Sequence, residues 1–172
     1  MSYDDPYGLK LCADRQFRRA ISVAFNARIT WRGGCIVSFV GHGGGHWTTL
    51  QTKLLQPLVS DPAHRFTVTS TSVWHWRDWA GSRFAGSGRD WEARIDVSQG
   101  DLSYQTRLHG ACRHAEDLWS VEALVVHELG HLLGVAIRGV PYAQNTAISW
   151  ENQFNRAYGR DLRSPTCGDS DY

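Results

Sequence analysis

The chain has 172 residues, of which 42% are hydrophobic and 12% aromatic, and this is enough apolar material for one domain with a buried core. Its formal net charge of +1 argues against a strongly electropositive, nucleic-acid-binding surface. No apolar run approaches the roughly 20 residues needed to cross a bilayer, and the acidic N-terminus lacks the apolar segment of a signal peptide.

The first 40 residues predict a leader, a helix and a strand. Residues 1–13 are polar and turn-rich, so we expect them to lie outside the core. Apolar residues recur at helical spacing over 14–26 and predict a helix there. The β-branched run 35–40 is typical of a buried strand.

The middle of the chain mixes glycine-rich and alternating segments. Residues 41–46, with the sequence Gly-His-Gly-Gly-Gly-His, predict a flexible loop, and a helix interrupted by a proline is expected over 48–58. Alternation of apolar and polar residues predicts strands over 66–73 and 91–97. Between them, 74–89 is rich in Trp, Gly, Ser and Arg and predicts an irregular loop or a twisted hairpin end.

Two helices are predicted in the last third of the chain. The first is expected over 118–133, with Asp117 or Ser120 as its N-cap and Gly134 as its C-terminal stop. The second is expected over 147–158. This order of elements favours a single α+β domain with a small mixed sheet.

The four cysteines are widely spaced and form no C-x-x-C pair, so the sequence does not choose among the three possible disulfide connectivities. Reduced thiols are favoured because nothing else in the sequence marks an oxidising compartment. The residues concerned are Cys12, Cys35, Cys112 and Cys167.

The residues with the strongest indication of a chemical function lie in the predicted helix over 118–133, in the sequence His127-Glu128-Leu129-Gly130-His131. Two His four residues apart project from one helical face, where both imidazoles can bind one Zn²⁺ at about 2.0–2.1 Å. The neighbouring Glu128 is placed to act as a general base on water, as in the H-E-x-x-H motif of zinc peptidases. The alternative is a solvent-exposed His pair beside a solvated Glu.

A catalytic zinc site needs a third protein ligand. The longer H-E-x-x-H-x-x-G-x-x-H motif is excluded because Ile137 stands where its third His belongs. Glu151, in the following predicted helix, resembles the Glu ligand of thermolysin-like peptidases, and we expect it to complete the site. The alternatives are Asp161, His114 and His109.

Peptide hydrolysis at such a site also requires a donor that stabilises the oxyanion. Arg156 and Tyr158 are our first candidates, and Tyr142 and the His residues outside the motif stay open. Glu128 is expected to take the proton of water and pass it to the leaving amine.

Two stretches resemble known families. Asp4-Asp5-Pro6-Tyr7-Gly8-Leu9 resembles the D-P-x-G-L sequence that ends the Rhs (YD-repeat) core of polymorphic toxins. In that family a variable toxin domain follows the junction. The resemblance implies that 1–9 is a remnant of the core shell and that 10–172 is the toxin domain.

The second resemblance covers roughly the last 55 residues, from the H-E-x-x-H helix onward. That helix, followed by Glu151-Asn152, Arg156, Gly159 and Arg163, is similar to the zinc-metallopeptidase toxins of Rhs proteins and to NleD-like effector peptidases. The resemblance implies a zincin-like domain, Zn²⁺ as cofactor and an active-site role for Glu151. Many Rhs relatives place a Tyr soon after the final Arg, and here 164–167 contains none.

These resemblances imply a secreted effector, delivered by a type VI or similar system, that cleaves a protein in the target-cell cytoplasm. A cognate immunity protein is the expected partner, and a monomer without nucleic-acid or membrane partners is expected. Two alternatives stay open. One is an Rhs-associated nuclease-type toxin that uses the His-rich loop 41–46 and the Trp- and Arg-rich segment 74–89. The other is a non-catalytic zinc-binding module, which is disfavoured because closed zinc sites usually use Cys.

Overall fold

The computed structural model describes residues 10–70, 82–95, 120–160 and 162–163. The proposed core remnant 1–9 lies outside the described residues, and so do several predicted features. These are the N-cap candidate Asp117, the alternative ligands His109, His114 and Asp161, and the cysteines Cys112 and Cys167.

One mixed sheet runs through the described part of the chain. Its strands are β1 (Leu11–Ala13), β2 (Ala27–Arg32), β3 (Cys35–Gly41), β4 (Arg65–Ser70), β5 (Ser82–Ser87) and β6 (Asp90–Ile95). The six strands lie in the order β2-β3-β1-β4-β6-β5, so β2 and β5 form the edges. The β1/β4 and β4/β6 pairs are parallel and the other pairs antiparallel.

The described residues also form four helices, which confirms the predicted α+β class. They are α1 (Arg15–Ala24), α2 (46–59), α3 (Val121–Arg138) and α4 (Gln144–Ala157). Helix α2 includes a π-helical stretch, Leu50–Leu55. Within these helices, none is both long enough and apolar enough to traverse a bilayer.

The core lies on one face of the sheet. Phe66 and Val68 of β4 and Ala93 and Ile95 of β6 are buried at alternating positions. This alternation shows that one face carries the core while the other is more open, as expected for a sheet covered on one side. Helix α3 packs against α1, α4 and the β5/β6 end of the sheet, and its position decides where the candidate site lies.

The prediction that residues 1–13 form a leader outside the core is wrong for its last residues. Leu11 and Ala13 are buried at 0% and 5% exposure, and β1 lies in the interior of the sheet between β3 and β4. A strand of three residues is too short to show a period-2 pattern, and it is identified only by the partners on both sides.

The β2–β3 hairpin corrects a second prediction. Strand β3 is not a buried strand, because Ile36 is its only buried residue. Gly33 and Gly34, which lie between β2 and β3, have φ values of 56° and 82°. Positive φ at both central residues is the geometry of a tight hairpin turn, and it pairs β3 with β2 at the sheet edge.

The remaining strand and loop predictions agree in type with the described structure. The strands over 66–73 and 91–97 correspond to β4 and β6 as far as they are described. The segment 74–89 contains the edge strand β5, which forms a hairpin with β6. The glycine-rich loop predicted at 41–46 connects β3 with α2.

The helices differ from their predictions mainly at their ends. Helix α2 continues to Val59 without interruption, and α4 begins at Gln144, three residues earlier than expected. Ser120 is confirmed as the N-cap of α3, since its Oγ accepts a hydrogen bond from the Ala123 N–H at 3.0 Å. Gly134 does not end α3, which continues to a left-handed Gly139 at φ 82°.

Gly134 does not terminate the helix, and instead its lack of a side chain allows close packing of the chain that follows α3. A Cβ at this position would lie 2.4 Å from the Tyr142 nitrogen and 2.5 Å from the Val140 oxygen. The absence of a side chain therefore lets residues 140–142 return directly across the helix.

The favoured reduced state of the cysteines is also wrong for two of them. Cys12 of β1 and Cys35 of β3 form a disulfide between adjacent antiparallel strands. Their 23-residue separation hides this pairing in the sequence, because it depends on β1 entering the sheet beside β3.

Candidate metal centre

The three residues of the motif meet inside the protein. His127, Glu128 and His131 are only 2%, 3% and 6% exposed, on a helix whose residues 125–135 are all buried. One potential ligand atom from each of the three lies within 4.8 Å of the others. The predicted cluster is thus present, and the alternative of a solvent-exposed His pair is excluded.

Both imidazoles are held through their Nδ1 atoms. His127 Nδ1 lies 2.8 Å from Glu151 Oε2, and His131 Nδ1 lies 2.7 Å from the backbone oxygen of Tyr142. A backbone carbonyl only accepts hydrogen bonds, so His131 Nδ1 is the donor. An ionised carboxylate also only accepts, so His127 Nδ1 donates to Glu151. In neutral rings this leaves both Nε2 atoms with free lone pairs.

The two Nε2 atoms converge on one side chain from the start of α4. Gln144 Oε1 lies 3.2 Å from His127 Nε2 and 3.0 Å from His131 Nε2. The Gln144 Nε2 atom is buried, and no hydrogen-bond partner for it lies among the described residues. The two ring nitrogens therefore both lie near one amide oxygen, in a partly buried space.

Glu151 is buried on the opposite side of the His127 ring, among charged and polar groups. Its Oε2 also accepts from Arg163 Nη1 at 2.9 Å. Arg163 is brought there by Asn152, whose side chain pairs with the backbone N–H and C=O of residue 163 at 2.7 Å each. The last described residues thus complete an Arg163–Glu151–His127 chain of contacts.

The protonation states support this arrangement. Burial lowers the pKa of the His131 ring, and the opposing attraction of Glu128 does not cancel it, so the neutral imidazole is favoured. Burial alone raises the pKa of the Glu151 carboxyl, but Arg163 and His127 together outweigh it, so this pKa lies below its ordinary value. Glu151 is therefore ionised and His131 is uncharged near neutral pH.

Further contacts fix the position of His131. The ring of Phe84, from the edge strand β5, lies 4.7 Å from the His131 ring, measured between centroids. The Tyr142 N–H donates to the His131 backbone oxygen at 3.0 Å, so Tyr142 binds both the main chain and the ring of the same residue.

The predicted site residues are only partly brought together. Glu151 contacts His127 Nδ1, whereas the potential ligand atoms that cluster belong to His127, Glu128 and His131. Tyr158 lies at the other end of α4 from Gln144, 47% exposed, with its ring against Trp47 and Phe154.

Arg156 is also exposed near that far end of α4. No described contact joins Arg156 or Tyr158 to the motif. Of the alternatives, Tyr142 does reach the motif, through its backbone.

Sequence reasoning missed Gln144 and the roles of Asn152 and Arg163. An amide at the first turn of a helix carries no signal of metal chemistry, and its proximity to both rings depends on how α3 and α4 cross. Asn152 and Arg163 belong to the segment that carries the family resemblance, but only the structure shows what they contact.

Comparisons with known proteins neither extend nor correct this description. No family model, no curated protein and no solved structure matches the chain.

Proposed function

We propose that the chain is a zinc-dependent metallopeptidase toxin domain with a zincin-like arrangement of α3 and α4. The observation that carries the proposal is the buried pair of imidazoles whose Nε2 lone pairs converge beside Glu128. A buried helix face that carries such a cluster is costly unless a partner compensates it.

The residues present fit a divalent cation. Both rings are fixed through Nδ1 by an acceptor, which is the usual support of metal-binding His. Burial favours the uncharged form of His131, the form that binds metal. Imidazole nitrogens with an oxygen donor suit Zn²⁺, since structural and catalytic zinc sites take N and O ligands at about 2.0–2.2 Å.

In the proposed reaction, the protein supplies orientation and proton transfer. Zn²⁺ at such a site lowers the pKa of water and polarises a carbonyl oxygen. Glu128, whose Oε1 lies 4.0 Å from His127 Nε2, receives the proton of the attacking water and delivers it to the leaving amine. Glu151 and Tyr142 hold the two rings in place during the reaction.

The biological setting follows from the resemblance to Rhs toxins and remains part of the proposal. The domain would be delivered by a type VI or similar system and act on a protein in the cytoplasm of a target cell. A cognate immunity protein would block the site in the producing cell.

The decisive experiment compares Glu128→Gln with wild type. The variant keeps the size of the side chain and leaves both imidazoles intact, so it should still bind one zinc per chain. It should lose toxicity in target cells and lose the new protein N-termini that wild type generates there. Removing one general base lowers rates by about 10²–10⁴-fold.

A matched control lies on the same helix. Glu122→Gln makes the same chemical change in the first turn of α3, away from the His pair, and should retain toxicity. A wild-type protein that binds no zinc, or a Glu128→Gln variant as toxic as wild type, would refute the peptidase proposal.

A further inference from the structure

The sequence predicts Glu151 as the third protein ligand of the proposed zinc site, and the structure offers a second candidate for this position. We propose that Gln144, through Oε1, is this ligand, and that Glu151 is a positioning residue that holds the His127 ring. The inference rests on the proposed metal site and concerns only which side chain completes it.

The first argument is the direction of the two rings. His131 Nδ1 donates to the Tyr142 carbonyl, and His127 Nδ1 donates to Glu151. The metal-binding lone pairs are therefore on the Nε2 atoms, and these face Gln144 rather than Glu151. A ligand has to lie on the Nε2 side, which Glu151 does not.

The second argument is the orientation of the amide. An amide that served only to bridge two neutral rings would present its NH₂ group to their lone pairs. Here the oxygen faces inward, and Gln144 Nε2 gains no described acceptor in return. An inward oxygen beside two acceptor nitrogens is unfavourable by itself, and a cation among the three atoms makes the arrangement favourable.

The third argument is distance. Two atoms bound to a tetrahedral zinc at about 2.0–2.1 Å lie about 3.3 Å from each other. Gln144 Oε1 is 3.2 Å from His127 Nε2 and 3.0 Å from His131 Nε2, so both oxygen–nitrogen distances are close to that value.

The charges around Glu151 point the same way. Its Oε2 is already shared by His127 and Arg163, both within 2.9 Å. Turning this carboxylate toward the metal would break its ion pair with the buried Arg163 guanidinium, which is costly. A zinc site with the three neutral ligands His127, His131 and Gln144 thus leaves the Glu151–Arg163 ion pair intact behind the His127 ring.

The test measures zinc affinity, by competition with a chelator, for the whole chain and three variants. Gln144→Met keeps the length of the side chain but removes the oxygen, and we expect a loss greater than the roughly 10–100-fold typical of outer-shell partners. Gln144→Glu restores an oxygen with a negative charge, so it should bind zinc at least as tightly as wild type. Glu151→Gln should lose affinity only within the outer-shell range.

The pattern of results separates the possibilities. The assignment of Gln144 would be overturned if Gln144→Met lost zinc affinity only within the outer-shell range, or if Gln144→Glu lost zinc binding. It would also be overturned if Glu151→Gln lost more zinc affinity than the outer-shell range. Absence of zinc binding by wild type would refute the proposed function itself.

A spectroscopic arm covers the case in which metal-free Gln144→Met does not fold. In the Co²⁺-loaded proteins, Gln144→Glu should shift the visible ligand-field bands because it changes a ligand from amide to carboxylate. Glu151→Gln should leave these bands in place. The reverse pattern would assign the ligand to Glu151.

Discussion

Replacing Gly134 by alanine tests how closely residues 140–142 must approach α3 to hold His131. The added Cβ would lie 2.4 Å from the Tyr142 nitrogen, 2.5 Å from the Val140 oxygen and 2.7 Å from the Pro141 carbonyl carbon. All three are backbone atoms, so no side-chain rotation relieves the contact. The chain after the helix has to move away.

The size of the effect follows from these distances. Ordinary van der Waals contact begins near 3.4 Å, so the loop must retreat by about 1 Å. The hydrogen bond from His131 Nδ1 to the Tyr142 oxygen, now 2.7 Å, would lengthen toward about 3.7 Å and be lost. The higher helix propensity of alanine raises the free energy of unfolding by about 1 kcal/mol. Overpacking lowers it by about 1–3 kcal/mol, and the lost hydrogen bond lowers it by about 1 kcal/mol more.

We therefore expect Gly134→Ala to lower the free energy of unfolding by about 1–3 kcal/mol. Zinc affinity should fall by about 10–100-fold, because the partner that orients His131 is displaced. Urea denaturation of the metal-free protein and chelator competition measure the two effects. Gly130→Ala is the control on the same helix, since its Cβ meets Ala147 and Trp150 only at 3.2 Å. If Gly134→Ala were as stable as the control and bound zinc like wild type, the reasoning would be refuted.

Two further perturbations test the packing around the site. Replacing Cys12 and Cys35 together by Ser should lower the free energy of unfolding by about 3 kcal/mol, because the disulfide closes a loop with a sequence separation of 23 residues. An unchanged urea midpoint would contradict this. Arg163→Gln should cost about 3–5 kcal/mol, because it leaves the buried Glu151 carboxylate without its cation. The Asn152 contacts involve only the backbone of residue 163, so the backbone there should remain in place in this variant. A change of less than about 1 kcal/mol in the free energy of unfolding, measured by calorimetry, would show that the Arg163–Glu151 pair contributes little to stability.

The most accurate predictions concern features with short-range causes. Two His at i and i+4 lie on one helical face whatever surrounds the helix, so His127, Glu128 and His131 are identified from their spacing alone. Ser120 is identified for the same reason, because an N-cap hydrogen bond reaches only three residues along the chain. Strand β6 shows its alternation within six residues.

The errors concern features whose causes lie far away along the chain. Strand β1 has too few residues for a pattern and exists because β3 and β4 bind it on both sides. Gly134 is a plausible helix stop in the sequence, yet it remains helical because residues 140–142 need the space beside it. The Cys12–Cys35 disulfide follows from the same placement of β1.

The amino-acid sequence by itself determined that this protein carries a His-Glu-His group on a helix within an α+β domain, since local periodicity and spacing are enough for both. Only the tertiary structure decided that both rings donate through Nδ1, that Glu151 lies behind His127 beside Arg163, and that Gln144 faces the two Nε2 atoms. These relations depend on the crossing of α3 and α4 and on the return of the chain past Asn152. Hydrogen bonds between residues 11 to 24 positions apart leave no periodic trace in a sequence.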